Sequence, residues 1–502
     1  MYYQGIVIAG GLFSFIAAMG IGANDVANAY ATAVGSKALT IKQAVVLASV
    51  FETGGAIFMG SHVSKTIRKG IADYECFEND PGPLMYGCMS VCLAVGLWLF
   101  IASKYEMPVS TTHSCVGGMI GMTMVLKGSG CVVWYEEREL FPYVGGVAGI
   151  VLSWIISPLF SAVISSTLYG IIRQVIMRSQ HSFTRTKYLF PVLVGGTVSL
   201  NAFFIIYKGA KGLDLDETPL NVACAWAFGI GGASGLAIIP FLPSISQKAE
   251  NAINNNKVIA EELENNQNTD PDVSPETEDN KKHSACNELV KYVNDSLKFD
   301  IDNIIQEDEI VAKIHEEAEI FEPKTEEFFK SIQIFTAICD SFSHGANDVA
   351  NAIGPFMAIY IISKNGTVTK DNDFGSDAYW FLALGGAGIS VGLFIYGYKI
   401  LHAIGTKLCK LTPSRGSAIE LASAIVIITG SRLEIPLSTT HCQVGATMGV
   451  AALEDPYTCK GINMKIIFKC VAGWVITLVV VGSTTALITA QGAYTPEVGK
   501  NC

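Results

Sequence analysis

The feature that most constrains the fold of this 502-residue chain is a polar motif that occurs twice inside apolar sequence. Residues 22–29 and residues 345–352 both read GANDVANA. Each copy is followed by a second matched motif, PVSTTH at residues 108–113 and PLSTTH at residues 436–441. The offsets are similar, because 348 − 25 = 323 for the aspartates and 438 − 110 = 328 for the serines. We therefore infer two structural repeats that arose by duplication.

The composition independently predicts an all-α polytopic membrane protein. Half of the residues are hydrophobic, 16% are charged and the mean hydropathy is +0.38, whereas a soluble chain carries about 25% charged residues. Apolar runs long enough to cross a bilayer recur along the chain, at residues 6–31, 44–60, 84–102, 144–171, 188–207, 222–242, 332–362, 379–398, 419–429 and 466–490.

The number of crossings predicts how the repeats are oriented. With the two STTH segments included, the runs give about twelve transmembrane segments, seven before the central polar region and five after it. An odd number of crossings separates the two repeats, so we expect inverted-topology repeats with broken or re-entrant helices and a shared site near the bilayer midplane. The first apolar run has no basic segment before it and continues into the first motif, so we expect an uncleaved membrane helix.

An acidic region at residues 246–330 separates the first membrane half, residues 1–245, from the second, residues 331–502. Its Asn-rich beginning predicts disorder. From Cys286 onward, apolar residues at near-helical spacing predict one or two amphipathic helices, through Leu289, Val290, Val293, Leu297, Ile301, Ile304, Ile305, Ile310 and Ile314. We interpret the region as a regulatory or tethering loop without transport chemistry.

The distribution of basic residues predicts the orientation in the membrane. Two clusters fall on the same side as the central region, namely Arg173, Arg178, Arg185 and Lys187, and Lys399, Lys407, Lys410 and Arg415. That side should be cytoplasmic, which leaves both termini and the glycosylation sequon at Asn365 outside and the sequon at Asn294 inside. One loop disagrees, since it places Lys65, Arg68 and Lys69 outside.

The thirteen cysteines show no metal-binding spacing, and most lie in apolar runs. Cysteine in such runs behaves as a small hydrophobic residue. We therefore expect neither a zinc site nor a disulfide framework.

The GANDVANA motifs predict a cation site. Asp and Asn in the middle of a membrane span are costly unless they face a polar cavity or a ligand. The glycines allow the helix to unwind and free backbone carbonyls, and carboxylate and amide oxygens are hard ligands that suit Na⁺. A Gly-Ala pair alone would more often indicate helix packing.

The STTH motifs predict an anion site. The preceding proline favours a helix start, where hydroxyls and unpaired N–H groups meet the positive end of the helix dipole. A single Ser-Thr-Thr would more often bond to its own preceding turn, but both motifs occur in both halves, as a site shared between two repeats requires. We interpret His113 and His441 as hydrogen-bonding spacers, with proton carriers as the alternative.

Together these motifs resemble those of the PiT family of inorganic phosphate transporters, as do residues 51–54, 66–70 and 419–423. The resemblance covers both membrane halves. It implies a secondary active symporter that imports phosphate with Na⁺ by alternating access, with H⁺ in many bacterial relatives, and it implies twelve spans and extracellular termini, most naturally in the plasma membrane. It implies a phosphate site at Asp25, Ser110, Thr111, Thr112, Asp348, Ser438, Thr439 and Thr440. It implies a sodium site at Asn24, Asp25, Asn28, Asn347, Asp348 and Asn351.

The resemblance also makes Glu52 and Glu420 essential for transport, although they occupy non-equivalent positions in the two repeats. Phosphate that retains a proton can donate it to Asp, whereas sulfate cannot, which predicts selectivity for phosphate. The partners expected are phosphate, Na⁺ or H⁺, and the lipid bilayer, with no nucleic acid, no cofactor and the question of a homodimer open. The alternatives are a proton-coupled symporter, a passive anion channel or phosphate exporter, and a membrane enzyme or receptor, for which we find neither a nucleophile–base pair nor a P-loop.

Overall fold

The computed structural model describes residues 3–139, 143–207, 215, 218–266, 308–368, 377–397, 400–401, 407–454 and 461–494. Within them the chain is almost entirely helical, apart from a short antiparallel pair, β1 (Glu136–Glu137) and β2 (Val144–Gly145). The helices are α1 (Gln4–Asn24), α2 (Ala27–Gly35), α3 (Ile41–Lys69), α4 (Pro81–Lys104), α5 (Thr111–Lys127), α6 (Gly146–Ile172), α7 (Ser182–Ile206), α8 (Leu220–Ile238), α9 (Leu242–Asn266), α10 (Glu309–Glu317), α11 (Pro323–Asn365), α12 (Asp377–Tyr396), α13 (Pro413–Arg432), α14 (Thr439–Ala451) and α15 (Met464–Tyr494).

The helices confirm a polytopic all-α membrane protein. Eight helical stretches among the described residues are long and apolar enough to cross a bilayer. Apart from the nine-residue helix α10, four further helices, α5, α11, α13 and α14, fall outside that group. Two of these are short, with 17 residues in α5 and 13 in α14, and the other two carry buried acidic side chains. These four helices carry the second GANDVANA motif, the two STTH motifs or Glu420.

The two repeats run in opposite directions. The helices that carry the GANDVANA motifs, α1 and α11, are antiparallel, since Gly10 lies beside Ile359 while the Ser14 hydroxyl donates to the Ala352 carbonyl at 3.0 Å. Residue numbers thus rise along α1 as they fall along α11. This arrangement is the inverted topology that the odd number of crossings predicts.

Each motif helix packs against a helix of the opposite repeat through glycine. A Cβ atom at Gly55 of α3 would lie 1.9 Å from the carbonyl oxygen of Phe342 on α11. A Cβ atom at Gly392 of α12 would lie 1.8 Å from the carbonyl oxygen of Met19 on α1. Met19 and Phe342 are equivalent by the 323-residue offset, so the two contacts are related by pseudosymmetry. Only glycine permits these close backbone approaches.

The STTH helices also pack against helices of the opposite repeat. A Cβ atom at Gly121 of α5 would lie 2.2 Å from the Gly482 carbonyl oxygen on α15, and one at Gly449 of α14 would lie 2.2 Å from the Ala162 carbonyl oxygen on α6. Each STTH helix therefore lies against the helix that follows the other STTH helix in sequence. This packing brings the first residues of α5 and α14 together inside the protein.

The expected unwinding occurs in only one motif. Between α1 and α2 the helix is interrupted at Asp25 and Val26, but α11 continues through Asp348 over 43 residues. The prediction for the second copy was therefore wrong. The motif glycines serve close packing instead: a Cβ atom at Gly22 would lie 1.8 Å from the Ile389 carbonyl oxygen, and one at Gly345 would lie 2.1 Å from that of Glu52.

The first part of the central region, up to Asn266, is helical where its composition predicts disorder. Helix α9 extends to Asn266 through the Asn-rich stretch for which we expected disorder, so that expectation was wrong there. The stretch also contains alanine, lysine and glutamate, which favour helix, and it continues from the apolar helix α8. The predicted amphipathic helix is present at α10, where Val311 and Ile314 are buried. The predicted helical residues from 286 to 305, and the sequon at Asn294, lie outside the described residues.

A disulfide contradicts our expectation for the cysteines. Cys76 and Cys131 are bonded, with their Cα atoms 6.1 Å apart. Both lie in short 3-10 helices that follow α3 and α5, rather than within apolar runs, and 55 residues separate them. No local spacing motif could therefore have revealed the pair.

Members of the two basic clusters meet at one end of the protein, as predicted, although Lys399 lies outside the described residues. Arg173 and Arg178 both bind the carboxylate of Glu319, which lies between α10 and α11, and Arg415 donates to the Glu319 carbonyl oxygen at 2.9 Å. Lys410 donates to the His315 carbonyl oxygen at 2.9 Å. The end of the central region thus bridges the two membrane halves.

Candidate functional site

The two motif aspartates lie side by side although 323 residues separate them. Asp25, Asp348 and His344 each offer a ligand atom within 4.8 Å of the others. Asp25 and Asp348 are 1% and 0% exposed. The Thr111 hydroxyl lies between the two carboxylates, 2.8 Å from Asp25 Oδ2 and 3.3 Å from Asp348 Oδ2. The inverted repeats therefore converge on one buried acidic centre.

The N-termini of α5 and α14 also converge there. Ser110 and Ser438 cap these helices by accepting hydrogen bonds from the backbone N–H groups of His113 and His441. The Ser438 hydroxyl donates to the Ser110 hydroxyl at 2.9 Å. Two positive helix ends thus point at the same small region, which favours negative charge.

A carboxylate already interacts with one of these helix ends. Asp25 Oδ2 accepts hydrogen bonds from both the backbone N–H and the hydroxyl of Thr111, at 3.3 and 2.8 Å, while Asp25 Oδ1 accepts from Thr440 at 2.6 Å. These are donors of the kind that a bound oxyanion would use. The Asp25 carboxylate therefore accepts the hydrogen bonds that a bound anion would otherwise accept.

The remaining motif hydroxyls divide between carboxylate and backbone. Thr439 donates to Asp348 Oδ2 at 2.9 Å. Thr112 instead donates to the Leu437 carbonyl oxygen at 2.8 Å. In the other repeat, Thr440 also lies 3.3 Å from the Val109 carbonyl oxygen. Thr112 and Thr440 therefore tie each STTH motif to the residue before the serine of the other.

Three of the four motif asparagines present unused oxygen atoms. The Oδ1 atoms of Asn28, Asn347 and Asn351 are buried without a hydrogen-bond partner among the described residues. Their amide nitrogens are bound, for example Asn347 Nδ2 to Asp348 Oδ1 at 2.7 Å. Buried oxygens without donors are costly, and such oxygens are suitable cation ligands.

Asn24 is used differently. Its Oδ1 accepts from the backbone N–H of Val109 at 3.0 Å, and its Nδ2 donates to the Met107 carbonyl oxygen at 3.0 Å and to Ser103 at 3.1 Å. Both ends of this amide therefore anchor the segment that leads into α5. The structure does not bring the Asn24 side chain into the acidic centre with the other three, and a role in sodium binding stays a prediction.

Glu52 reaches the centre through His344, which the sequence reasoning missed. His344 Nδ1 lies 2.8 Å from Glu52 Oε2, and its Nε2 lies 3.0 Å from Asp348 Oδ2. Ser341 donates to Glu52 Oε1 at 3.2 Å. A histidine one residue before the second motif, inside a membrane span, was the available signal.

Glu420 contacts the same helix as Glu52. Its carboxylate accepts from Thr336 at 2.5 Å and Gln333 at 3.2 Å, both on α11, and from Thr32 on α2 at 2.6 Å. Both glutamates contact α11, Glu52 from α3 and Glu420 from α13. Their positions are therefore not related by the repeat offset. Symmetry between the repeats could not have given this arrangement.

The STTH histidines form part of a stack of rings. His113 lies 3.6 Å from Trp154 and 4.8 Å from His441, and His441 lies 3.7 Å from Trp474, measured between ring centroids. His441 Nδ1 lies 2.9 Å from the Trp154 carbonyl oxygen, so it donates there. The stack joins α6, α5, α14 and α15, which agrees with a spacer role.

Comparison with known proteins gives this site a family. A sequence model of the phosphate transporter family matches residues 21–485, which include both pairs of motifs. The chain belongs to the phosphate transporter family. It is therefore a multi-pass membrane transporter of phosphate, not an enzyme.

Relatives of this transporter carry the same description. The chain is 34% identical to an Arabidopsis thaliana protein named inorganic phosphate transporter 2-1, chloroplastic, over 95% of its own length and 70% of the relative's. It is 25% identical to the mouse sodium-dependent phosphate transporter 1, over 94% and 93% of the two chains. A solved structure described as the sodium-dependent phosphate transporter matches with a TM-score of 0.74 and 30% identity, covering 98% of this transporter and 100% of that chain.

Proposed function

We propose that the transporter imports phosphate together with Na⁺ by alternating access. One observation carries the proposal: a buried pair of carboxylates with unpaired amide oxygens adjoins two converging helix N-termini. The first set of groups suits a cation and the second suits an anion. Two relatives whose names specify sodium dependence support the choice of Na⁺.

In this proposal the sodium ligands are carboxylate and amide oxygens of the GANDVANA motifs. Asp25 and Asp348 supply charge, and Asn28, Asn347 and Asn351 supply oxygens that lack another partner. A cation there coordinates those oxygens and offsets the electrostatic repulsion between the two carboxylates. Asn24 acts from a distance, by holding the segment before α5 in place.

The phosphate ligands are the cradle at the starts of α5 and α14. Ser110, Thr111, Ser438, Thr439 and Thr440 provide hydroxyls beside the first N–H groups of both helices, and Thr112 holds the two motifs together. A protonated phosphate oxygen can donate to Asp25 or Asp348, which sulfate cannot do near neutral pH. Selectivity for phosphate follows from that donor.

Competition for the cradle couples the two substrates. Asp25 accepts hydrogen bonds from the N–H and hydroxyl of Thr111 and from the hydroxyl of Thr440, and these are also the donors that phosphate would use. Na⁺ bound at Asp25 neutralises its charge, so the donors become available to phosphate and the repulsion between phosphate and carboxylate falls. Phosphate in turn adds negative charge that strengthens Na⁺ binding, as reciprocity between linked sites requires.

A proton-coupled symporter is the second candidate. The observation that favours it is the His344 ring, which lies between the carboxylates of Glu52 and Asp348 at 2.8 and 3.0 Å and could carry a proton between them. A passive channel or exporter has no use for unpaired amide oxygens beside two carboxylates, so the site does not favour it.

We further propose that the transporter lies in the plasma membrane with both termini outside. The Cys76–Cys131 disulfide supports this orientation, since such bonds form in oxidising compartments. Arg173, Lys410 and Arg415 lie at the end of the protein opposite the disulfide, as expected for the cytoplasmic side. Asn365 ends α11 on the disulfide side, so a glycan shift at Asn365 but not at Asn294 is expected, and the reverse pattern would invert the orientation.

Phosphate uptake into proteoliposomes tests the coupling. Uptake should require an inward Na⁺ gradient, and should stop when choline replaces Na⁺ at the same pH gradient. If two Na⁺ accompany one dihydrogen phosphate, a negative interior helps by about 2.3 kcal/mol per charge per 100 mV, so an inward current should accompany phosphate addition. Uptake that ignores Na⁺ and follows a proton gradient would assign the coupling to protons instead.

A further inference from the structure

The side-chain amide of Gln443, one turn into α14, is buried without a hydrogen-bond partner. The residue is 1% exposed, and neither its Nε2 nor its Oε1 atom is hydrogen-bonded among the described residues. Burial of unpaired donors and acceptors is costly, and an apolar side chain of the same shape would avoid that cost. An amide at this position therefore has a use other than packing.

Gln443 lies on the face of α14 that meets the acidic centre. Thr439 donates to Asp348 Oδ2 at 2.9 Å. Thr440 donates to Asp25 Oδ1 at 2.6 Å. Successive residues of an α-helix are about 100° apart around the axis, so the direction of Gln443 falls between those of the two threonines. Its amide is thus directed as they are, about one turn, or 5.4 Å, further along the helix.

The opposite face of α14 packs against α6. His441 Nδ1 lies 2.9 Å from the Trp154 carbonyl oxygen. A Cβ atom at Gly445 would lie 2.3 Å from the Pro158 carbonyl oxygen. These contacts fix the rotation of α14 about its axis, and they leave the Gln443 side of the helix turned away from α6.

Helix α14 leads from the cradle to the end of the protein that holds the Glu319 cluster. Glu454, just beyond the end of α14, accepts a hydrogen bond from the backbone N–H of Glu319 at 2.9 Å. The pseudosymmetric helix α5 leads the other way, toward the disulfide, and the 328-residue offset places Cys115 where α14 has Gln443. A buried thiol is only a weak donor. Of the two equivalent positions, the one on the route to the proposed cytoplasmic side therefore carries the amide.

The unpaired atoms of Gln443 define the chemistry of a ligand. Amide N–H groups are donors and cannot coordinate a cation, so the ligand must accept hydrogen bonds. The amide oxygen requires a donor as well. Phosphate that retains a proton meets both requirements, because it accepts from Nε2 and donates its O–H group to Oε1.

We propose that Gln443 forms a second phosphate position one helical turn from the cradle, which the anion occupies as it leaves the cradle toward the side where α14 ends. The proposal rests on the cradle that the proposed function assigns to phosphate. Hydrogen bonds at Gln443 replace part of those that phosphate gives up at Thr439 and Thr440. The departing anion is thereby stabilised on one side of the cradle only.

Uptake of radioactive phosphate into right-side-out and inside-out membrane vesicles tests the position, because each preparation presents one face of the full-length transporter to the added phosphate. Both receive the same inward Na⁺ gradient, and the glycan test at Asn365 identifies the faces. Gln443→Met keeps an unbranched side chain but loses the amide. It should raise the phosphate concentration for half-maximal uptake about tenfold at the face where α14 ends and leave it unchanged at the other face.

Two further variants sharpen the comparison. Gln443→Glu places a negative charge beside the anion, so the rise at the same face should exceed that of Gln443→Met. Val444→Ala is the control, since Val444 belongs to the buried apolar cluster that contains Ile419. Its phosphate dependence should equal that of wild type at both faces.

An unchanged phosphate dependence in both Gln443 variants would overturn the proposal and mean that water alone satisfies the amide. Equal rises at both faces would also overturn it, by placing Gln443 in the cradle itself. If Gln443→Met does not reach the membrane, Gln443→Glu alone decides. Thermal unfolding separates a structural role, because Gln443→Met removes two unpaired groups and should melt no lower than wild type.

Wild-type vesicles in which choline replaces Na⁺ test the coupling separately. Na⁺-dependent uptake without a one-sided effect of the Gln443 variants overturns the second phosphate position alone. Na⁺-independent uptake with that one-sided effect retains the position and overturns the coupling.

Discussion

The hydroxyls of Ser110 and Ser438 lie 2.9 Å apart although 328 residues separate them in the chain. Each caps the helix that it begins, so their contact fixes two helix N-termini against each other. Neither repeat could build this anion cradle alone. The duplication is therefore a requirement of the site, because each half supplies one helix end and one carboxylate.

Replacing Asp25 or Asp348 by Asn should nearly abolish phosphate uptake while the protein still reaches the membrane. Each change removes a charge that the pseudosymmetric aspartate cannot replace, since both contribute to one centre. Uptake normalised to surface protein measures the effect. Glu137→Gln, at an exposed position on β1, is the matched control and should behave as wild type. Wild-type uptake by either surface-expressed aspartate variant would place the cation elsewhere.

Thr440→Ala should raise the phosphate concentration for half-maximal uptake by roughly tenfold or more, since a hydrogen bond to a charged ligand is worth about 1.5 to 3 kcal/mol. Ser110→Ala should act in the same direction and also weaken the α5 cap, by about 1 kcal/mol. Thr447→Ala is a matched control on α14, because its hydroxyl bonds only to the Gln443 carbonyl oxygen among the described residues. An unchanged phosphate dependence in both cradle variants would move the anion away from these helix ends.

The two pseudosymmetric histidines should respond differently to Phe. Phe keeps a ring in the stack but cannot donate to the Trp154 carbonyl oxygen, as His441 does. His441→Phe should therefore lower the free energy of unfolding by about 1 kcal/mol more than His113→Phe. Thermal unfolding of the two purified variants provides the comparison. Equal losses would show that ring packing, rather than the hydrogen bond, sets the contribution of His441.

Glu319 should stabilise the protein in a pH-dependent manner. Partial burial raises the pKa of Glu319, but hydrogen bonds from Arg178 and Arg173 outweigh it and hold the pKa below the ordinary value of 4.5. The native state then binds fewer protons than the unfolded state, so the stabilisation is complete above pH 4.5 and is lost as the pH falls through the lowered pKa.

A comparison of melting temperatures checks the Glu319 prediction. Wild type should exceed Glu319→Gln at neutral pH, and the difference should shrink in acid and at high salt. Glu317→Gln is the control, since its side chain is 41% exposed and lies 3.9 Å from Lys313, at the limit of an ion pair. A difference that persists unchanged in acid would mean that the Glu319 charge is not responsible.

The sequence alone determined the membrane class, the duplication, the inverted orientation and the residue types of the candidate site. These follow from local composition and from repeated motifs, which are written along the chain. It also predicted that the two basic clusters lie on one side, because the number of crossings between two loops decides whether they share a side of the membrane.

The tertiary structure decided which buried polar residues contact one another. Only the packing of α3 and α13 against α11 brings Glu52 and Glu420 to one helix and places His344 between Glu52 and Asp348. The same holds for the Cys76–Cys131 bond. The physical reason is that contacts between residues hundreds of positions apart depend on which glycine faces allow helices to approach, and that choice is not encoded in the spacing of any one motif.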